Sequence, residues 1–239
     1  MRLLTFPLIL FLTLACSSKT KPDSTGITEL KEESKIERSY IDLKQETADK
    51  RAVFREQYNN ANQAGKNSIL IEAQKYLLHV SDEYFTAWYN TPWTFHGHSQ
   101  TPNEGSIACG YFVTTTLRDM GFNVPRIKWA QQASEYVIKK LSTDIKRFQS
   151  KPVKDIVTHI ETSGEGLYIV GLDCHVGYIY FLGGKMSFVH ANYYRPDVGV
   201  MSEPLIGRNP LNDSKYRVIG KIFDKEMVRN WLLEIPYLP

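Results

Sequence analysis

Cysteine is scarce in this chain, with 3 residues in 239: Cys16, Cys109 and Cys174. Only Cys109 and Cys174 lie in the body of the sequence, so at most one disulfide closes within it. Net charge is also small, +3 from 29 Lys and Arg against 26 Asp and Glu. The two signs are interleaved, and nothing points to nucleic-acid binding. The apolar stretch 3–14 falls short of the roughly 20 residues that a membrane span needs. Histidines number 6, and the pair in His96-Gly97-His98 has no obvious third partner, so neither a metal centre nor another cofactor is expected. Internal repeats and a second globular domain are also missing. What is there is 42% hydrophobic residues and 14 Tyr, enough for one domain with a proper core.

Residues 1–16 read as a targeting segment. Arg2 supplies a positive start, residues 3–14 are apolar apart from Thr5, Pro7 and Thr13, and Leu14-Ala15-Cys16 closes the segment. An ordinary secretory signal has this form. A small residue followed at once by Cys also resembles the bacterial lipoprotein cleavage box, which implies lipidation of Cys16 and attachment to a membrane through that lipid. By the same resemblance, Ser17 after the Cys implies the outer membrane, facing the periplasm, in a two-membraned bacterium. The expected location is therefore the cell envelope, lipid-anchored. Residues 17–28 read as a flexible tether, 29–67 as an N-terminal helical region, and 68–239 as the main domain.

Cys109 carries the most chemical information. It opens the run Ala108-Cys109-Gly110-Tyr111-Phe112-Val113, and Val113, Leu117 and Met120 recur at the spacing of one helix face. Gly121 stands where a helix commonly ends in the left-handed conformation. A thiol in the first turn feels the positive end of the helix dipole and unpaired backbone N–H groups, and both favour thiolate. Downstream lie His175 and His190, each in a strand-like setting. One Cys and two His form the inventory of a thiol nucleophile, its base and the group that orients the base.

The placement of those histidines follows from strand parity. Residues 175–182 read as a strand, Gly183-Gly184 as a two-residue turn, and residues 185–191 as the returning strand. Leu182 then pairs with Lys185, and counting back sets Gly177 opposite His190. Alternation puts His175, Gly177 and His190 on one face, with the two imidazoles within diagonal reach and the glycine leaving room between them. Cys174 is expected to point to the other face, making it a poor nucleophile and a poor disulfide partner for Cys109.

Elsewhere, Ser68 is expected to cap a helix running to about Tyr89 after a break over 62–67. Ser134 is expected to cap another, carrying Val137, Leu141, Ile145 and Phe148. Residues 166–172 form a continuous apolar run, as in a buried central strand. Glu203-Pro204-Leu205 and residues 216–222 read as further strands, and Asp224 as the cap of a C-terminal helix. Helices first and consecutive antiparallel strands after them make an α+β layout.

Five blocks, in order, resemble the NlpC-type family of cell-wall cysteine peptidases. They are Thr91-Pro92-Trp93, Cys109-Gly110-Tyr111-Phe112-Val113, Val124-Pro125-Arg126 with Gln131 five residues after the Arg, Gly166-Leu167-Tyr168-Ile169-Val170, and His175-Val176-Gly177 with Val189-His190-Ala191. The resemblance implies a papain-like fold, with the nucleophile-bearing helix packed on a central antiparallel sheet and extra N-terminal helices here. It implies Cys109, His175 and His190 as the catalytic set, with Trp93, Tyr111 and Arg126 at the substrate. The chain departs from the family at Ala108, where the family has Asp, at Gly110, where it has Ser, and at Trp93, where it has Tyr.

The function so implied is a cell-envelope cysteine hydrolase cleaving an amide bond in peptidoglycan stem peptides. The same three residues also serve acyl or amide transfer to an amine, or deamidation. A catalytically silent lipoprotein that binds wall fragments through the cleft is the reading from another class.

Overall fold

The computed structural model describes residues 39–238. The expectations for residues 1–16, the tether at 17–28, lipidation of Cys16 and the start of the helical region fall outside the described residues.

Two long helices lead. The first, α1 (Tyr40–Asn60), opens with a reciprocal cap in which Ser39 and Asp42 each satisfy the other's backbone N–H. The second, α2 (Gln63–Trp88), starts five residues before Ser68, because Asn62 caps it by accepting from the Gly65 amide at 2.9 Å. The anticipated break therefore shrinks to Ala61 and Asn62: an Asx cap three residues ahead of Gly65 turns that glycine into first-turn helix. Leu43 and Phe54 of α1 join the same core as α2, so this region packs as part of the domain.

Next come α3 (Cys109–Asp119), α4 (Arg126–Ala130) and α5 (Ser134–Leu141), then β1 (Ile145–Gln149), α6 (Val153–Ser163), β2 (Gly166–Leu172), β3 (Val176–Leu182), β4 (Lys185–Ala191) and β5 (Val200–Glu203), and finally α7 (Pro210–Asp213), β6 (Tyr216–Lys221) and α8 (Lys225–Leu232). The described residues thus form an α+β structure of eight helices and one open six-stranded sheet, ordered β1-β6-β2-β3-β4-β5 and antiparallel throughout. No helix among them is long and apolar enough to cross a membrane.

Both faces of the sheet are covered. Leu167 and Ile169 of β2 join one apolar cluster with α2, α3, α5 and α8, while Tyr168, Val170 and Leu172 join a second with α6 and α7. That is why β2 is apolar without alternation. The same two-sidedness corrects the helix expected to run on from Ser134. It stops at Leu141, and Ile145 and Phe148 belong to β1, three apart and so on opposite faces, one packing on each cluster. The strand expected at 203–205 ends at Glu203 instead; Pro204 follows, lacks an N–H and cannot extend a ladder.

Two features fix α3 relative to the sheet. The buried Tyr178 hydroxyl on β3 donates to Val113 O at 2.9 Å and lies 3.0 Å from Thr116 Oγ1. At the other end, Gly121 takes φ +96°, closing the helix as its position suggested. The β3–β4 hairpin has the expected register, Leu182 opposite Lys185 and Tyr178 opposite Val189, with Gly183 and Gly184 at φ +60° and +71°.

Candidate active site

Cys109 is the first residue of α3, and the preceding Ala108 has no side chain able to cap the helix. The backbone N–H groups of Val176, Gly110 and Cys109 itself act on the sulfur and favour its anion, but burial outweighs them and pushes the thiol up. Burial thus works against the thiolate that the helix terminus favours. Gly110 is dictated by packing, since a Cβ there would come within 2.3 Å of Ala130 O as α4 crosses the start of α3.

His175 sits in the turn just before β3. Its carbonyl accepts from Leu172 N at 2.8 Å, and the Asp173 carboxylate accepts from the Lys215 and Tyr216 amides at 2.7 and 2.9 Å. This anchored turn carries the imidazole inward, leaving it 4% exposed. Its Nε2 lies 2.8 Å from His190 Nδ1. His190, fully buried and stacked on Phe188 with 4.0 Å between ring centroids, meets Glu203 Oε1 through its own Nε2 at 2.8 Å. The other Glu203 oxygen accepts from Arg195 Nη2 at 3.0 Å. Burial holds His175 well below the ordinary histidine range, with His190 adding to the effect. His190 is also lowered by burial, against the opposing pull of Glu203.

Cys109 and His175 line one cavity of about 610 Å³. Trp93, Phe95, Tyr111 and Tyr193 supply aromatic walls, Gln131 and Gln132 neutral amides, and His96 and His98 the outer side. Among the described residues no hydrogen bond joins the thiol to His175, and no group of three His, Cys, Asp or Glu side chains is arranged to hold a metal ion.

The remaining candidates divide. Trp93 and Tyr111 line the cavity; the Trp93 Nε1 is buried without a partner, and Tyr111 OH accepts from Gln131 Nε2 at 3.3 Å. Arg126 does not line it. Its guanidinium stacks 4.8 Å over the Tyr111 ring and donates to Thr115 Oγ1, His98 O and Ser99 O at 2.7, 2.9 and 2.8 Å, propping the loop behind the wall. Its Nε and Nη2 donors are engaged inside the protein and it stands outside the cavity that holds Cys109, whereas the resemblance places it at the substrate. Cys174 is a correction. It belongs to the turn rather than to β3, so strand alternation does not apply, and its exposed free thiol lines the same cavity 3.8 Å from Tyr193 OH.

Sequence reasoning missed Glu203, Tyr193 and Gln132. Glu203 could have been found from the β4–β5 register: it pairs with Phe188, diagonal to His190 on one face.

No protein-family model matches the chain, and no curated protein matches it significantly. Two solved structures of an N-acetylmuramoyl-L-alanine amidase from Bacteroides uniformis are similar to it. One is 11% identical, covering 63% of this chain and 99% of that one at a TM-score of 0.30. The other is 10% identical, covering 59% and 98% at a TM-score of 0.29.

Proposed function

We propose that this chain is a cysteine hydrolase of the cell envelope that cleaves an amide bond, with peptidoglycan stem peptides as the substrate and an NlpC-type, papain-like arrangement of the site. The observation that carries the reading is the His175–His190 contact at 2.8 Å, which occupies His175 Nε2 and leaves Nδ1 as the nitrogen free to act, in the cavity that holds Cys109.

Burial keeps both partners neutral at rest, so the proton moves as the reaction proceeds. His175 Nδ1 takes the thiol proton while the sulfur attacks the amide carbonyl carbon and forms the C–S bond. Negative charge gathers on the carbonyl oxygen, and the Cys109 N–H at the helix start helps to hold it; one such donor is typically worth about 3 kcal/mol. Collapse breaks the C–N bond, and the departing amine takes the proton from His175. Water, deprotonated by His175, then attacks the thioester, releasing the acid and restoring the thiol.

The lining holds no Asp, Glu, Lys or Arg. Such a wall favours an uncharged group beside the scissile bond, since a buried charge without a partner is costly. Incubation of the chain and of its Cys109→Ala variant with peptidoglycan fragments, with new amino termini counted, tests the reading. Release must depend on Cys109; equal release by both proteins contradicts it. Membrane attachment through Cys16 belongs to the same proposal, and radiolabelled-lipid incorporation lost in Cys16→Ala checks it.

A further inference from the structure

Beyond the two imidazoles stands a partly buried carboxylate, with Glu203 10% exposed at its side chain. We propose that Glu203 is the positioning residue that ends a Cys109–His175–His190–Glu203 array, setting the tautomer of both imidazoles and supplying the negative charge against which His175 accepts a proton. This rests on the thiol-hydrolase reading and names what tunes its base.

An ionised carboxylate only accepts, so at 2.8 Å from Glu203 Oε1 the His190 Nε2 must carry hydrogen. A neutral imidazole has one N–H, which leaves His190 Nδ1 bare. That atom accepts from His175 Nε2–H at 2.8 Å, and His175 Nδ1 is bare in turn. Each assignment forces the next, and the carboxylate fixes the direction. Without it, the histidine pair satisfies its shared bond equally well with the donor reversed, placing hydrogen on the nitrogen that must act as base.

The charge matters as much as the direction. A neutral histidine behind His175 steadies an imidazolium less than a carboxylate does. Glu203 restores that charge one residue further out, through a fully buried ring where Coulomb attraction is little screened. Arg195 and Asn192 hold the carboxylate, at 3.0 Å to Oε2 and 3.5 Å to Oε1. The other titratable groups near the pair are Cys109, Cys174, His96, His98 and Tyr111 in the cavity, Tyr193 with its ring centroid 5.1 Å from that of His175, Asp173 in the same turn as His175 with its carboxylate taken by the Lys215 and Tyr216 amides, and Arg195 beyond Glu203. Phe188 offers only an apolar face. Glu203 is thus the carboxylate in hydrogen-bond contact with the histidine pair.

The test is iodoacetamide labelling of the full chain, read on the Cys109 peptide by mass spectrometry, across about pH 5 to pH 9. Glu203→Gln keeps the size and removes the charge in either orientation of its amide. Its maximal labelling rate should fall by about tenfold or more, and the acid limb should move to lower pH because His175 becomes a weaker base. Glu203→Ala should fall further. Both variants matching the unsubstituted chain in rate and limb would overturn the proposal, since a merely structural role leaves the limb in place. Should either variant fold poorly, nitrogen-15 NMR of the unsubstituted protein decides. Hydrogen on Nε2 of both His175 and His190 supports the array, and hydrogen on His190 Nδ1 overturns it. If the unsubstituted chain shows no His175-dependent labelling, the hydrolase reading fails by itself, and the tautomers still test the array.

Discussion

Gly177 and His190 face each other so closely that a Cβ on Gly177 would stand 2.8 Å from His190 Cβ, with Phe188 Cε2 and Val189 O equally near at 2.8 and 2.9 Å. The absence of a side chain here lets the buried imidazole lie flat on Phe188 and still reach His175.

Gly177→Ala should therefore act on chemistry and stability together. Overpacking of this kind typically costs about 1–3 kcal/mol, and the easiest relief is to move the His190 ring off its present line. Thermal unfolding should report the loss. Labelling of Cys109 should slow as His190 shifts from His175. A variant with unchanged labelling would show that His190 does not support the base.

Arg126→Ala should separate binding from chemistry. The guanidinium braces the loop at His98 and Ser99 and stacks on Tyr111, yet touches neither Cys109 nor His175. Leaving the buried Thr115 hydroxyl and two part-buried carbonyls without this donor should cost about 1–3 kcal/mol. In steady-state kinetics the expected signature is a raised KM with a smaller change in kcat, because a wall of the cavity loosens while the thiol keeps its base. A fall confined to kcat would contradict this supporting role.

Stability should fall away on both sides of neutrality. His175 and His190 are held below the ordinary histidine value of about 6.5, so below that pH the unfolded chain binds more protons than the folded one. Their contribution is present above about pH 6.5 and is lost as pH falls towards their folded values. Burial moves Cys109 the other way, so its contribution is present below the free-thiol value of about 8.5 and is lost as pH rises beyond it. Denaturant midpoints measured across this range should show both limbs. Cys109→Ala should flatten the alkaline one and a His175→Asn, His190→Ala pair the acid one. An acid limb identical in that double variant would sink the assignment.

The elements legible in the sequence were those whose signals are local. The turn at Gly183-Gly184 fixed the parity of two strands, and through it the meeting of His175 and His190. Asp224 does cap α8, accepting from Met227 N at 2.8 Å. What escaped depended on partners far along the chain. Helix α6 follows Pro152 without a side-chain cap, and its inner residues face a second cluster that exists only once both sides of the sheet are covered. The role of Arg126 is set by carbonyls of a loop that the sequence leaves shapeless. Cys174 was misplaced because the strand begins two residues later, at Val176, and parity has no meaning in the turn before it.

The central claim is that His175 activates Cys109, and the pH dependence of iodoacetamide labelling at the Cys109 peptide tests it most directly. The account predicts labelling at pH 7 that depends on His175: abolished in Cys109→Ala and slowed by about a hundredfold in His175→Ala, the scale of a lost general base. Labelling that rises only above about pH 8.5, alike with and without His175, would contradict it and leave a cleft that binds without reacting.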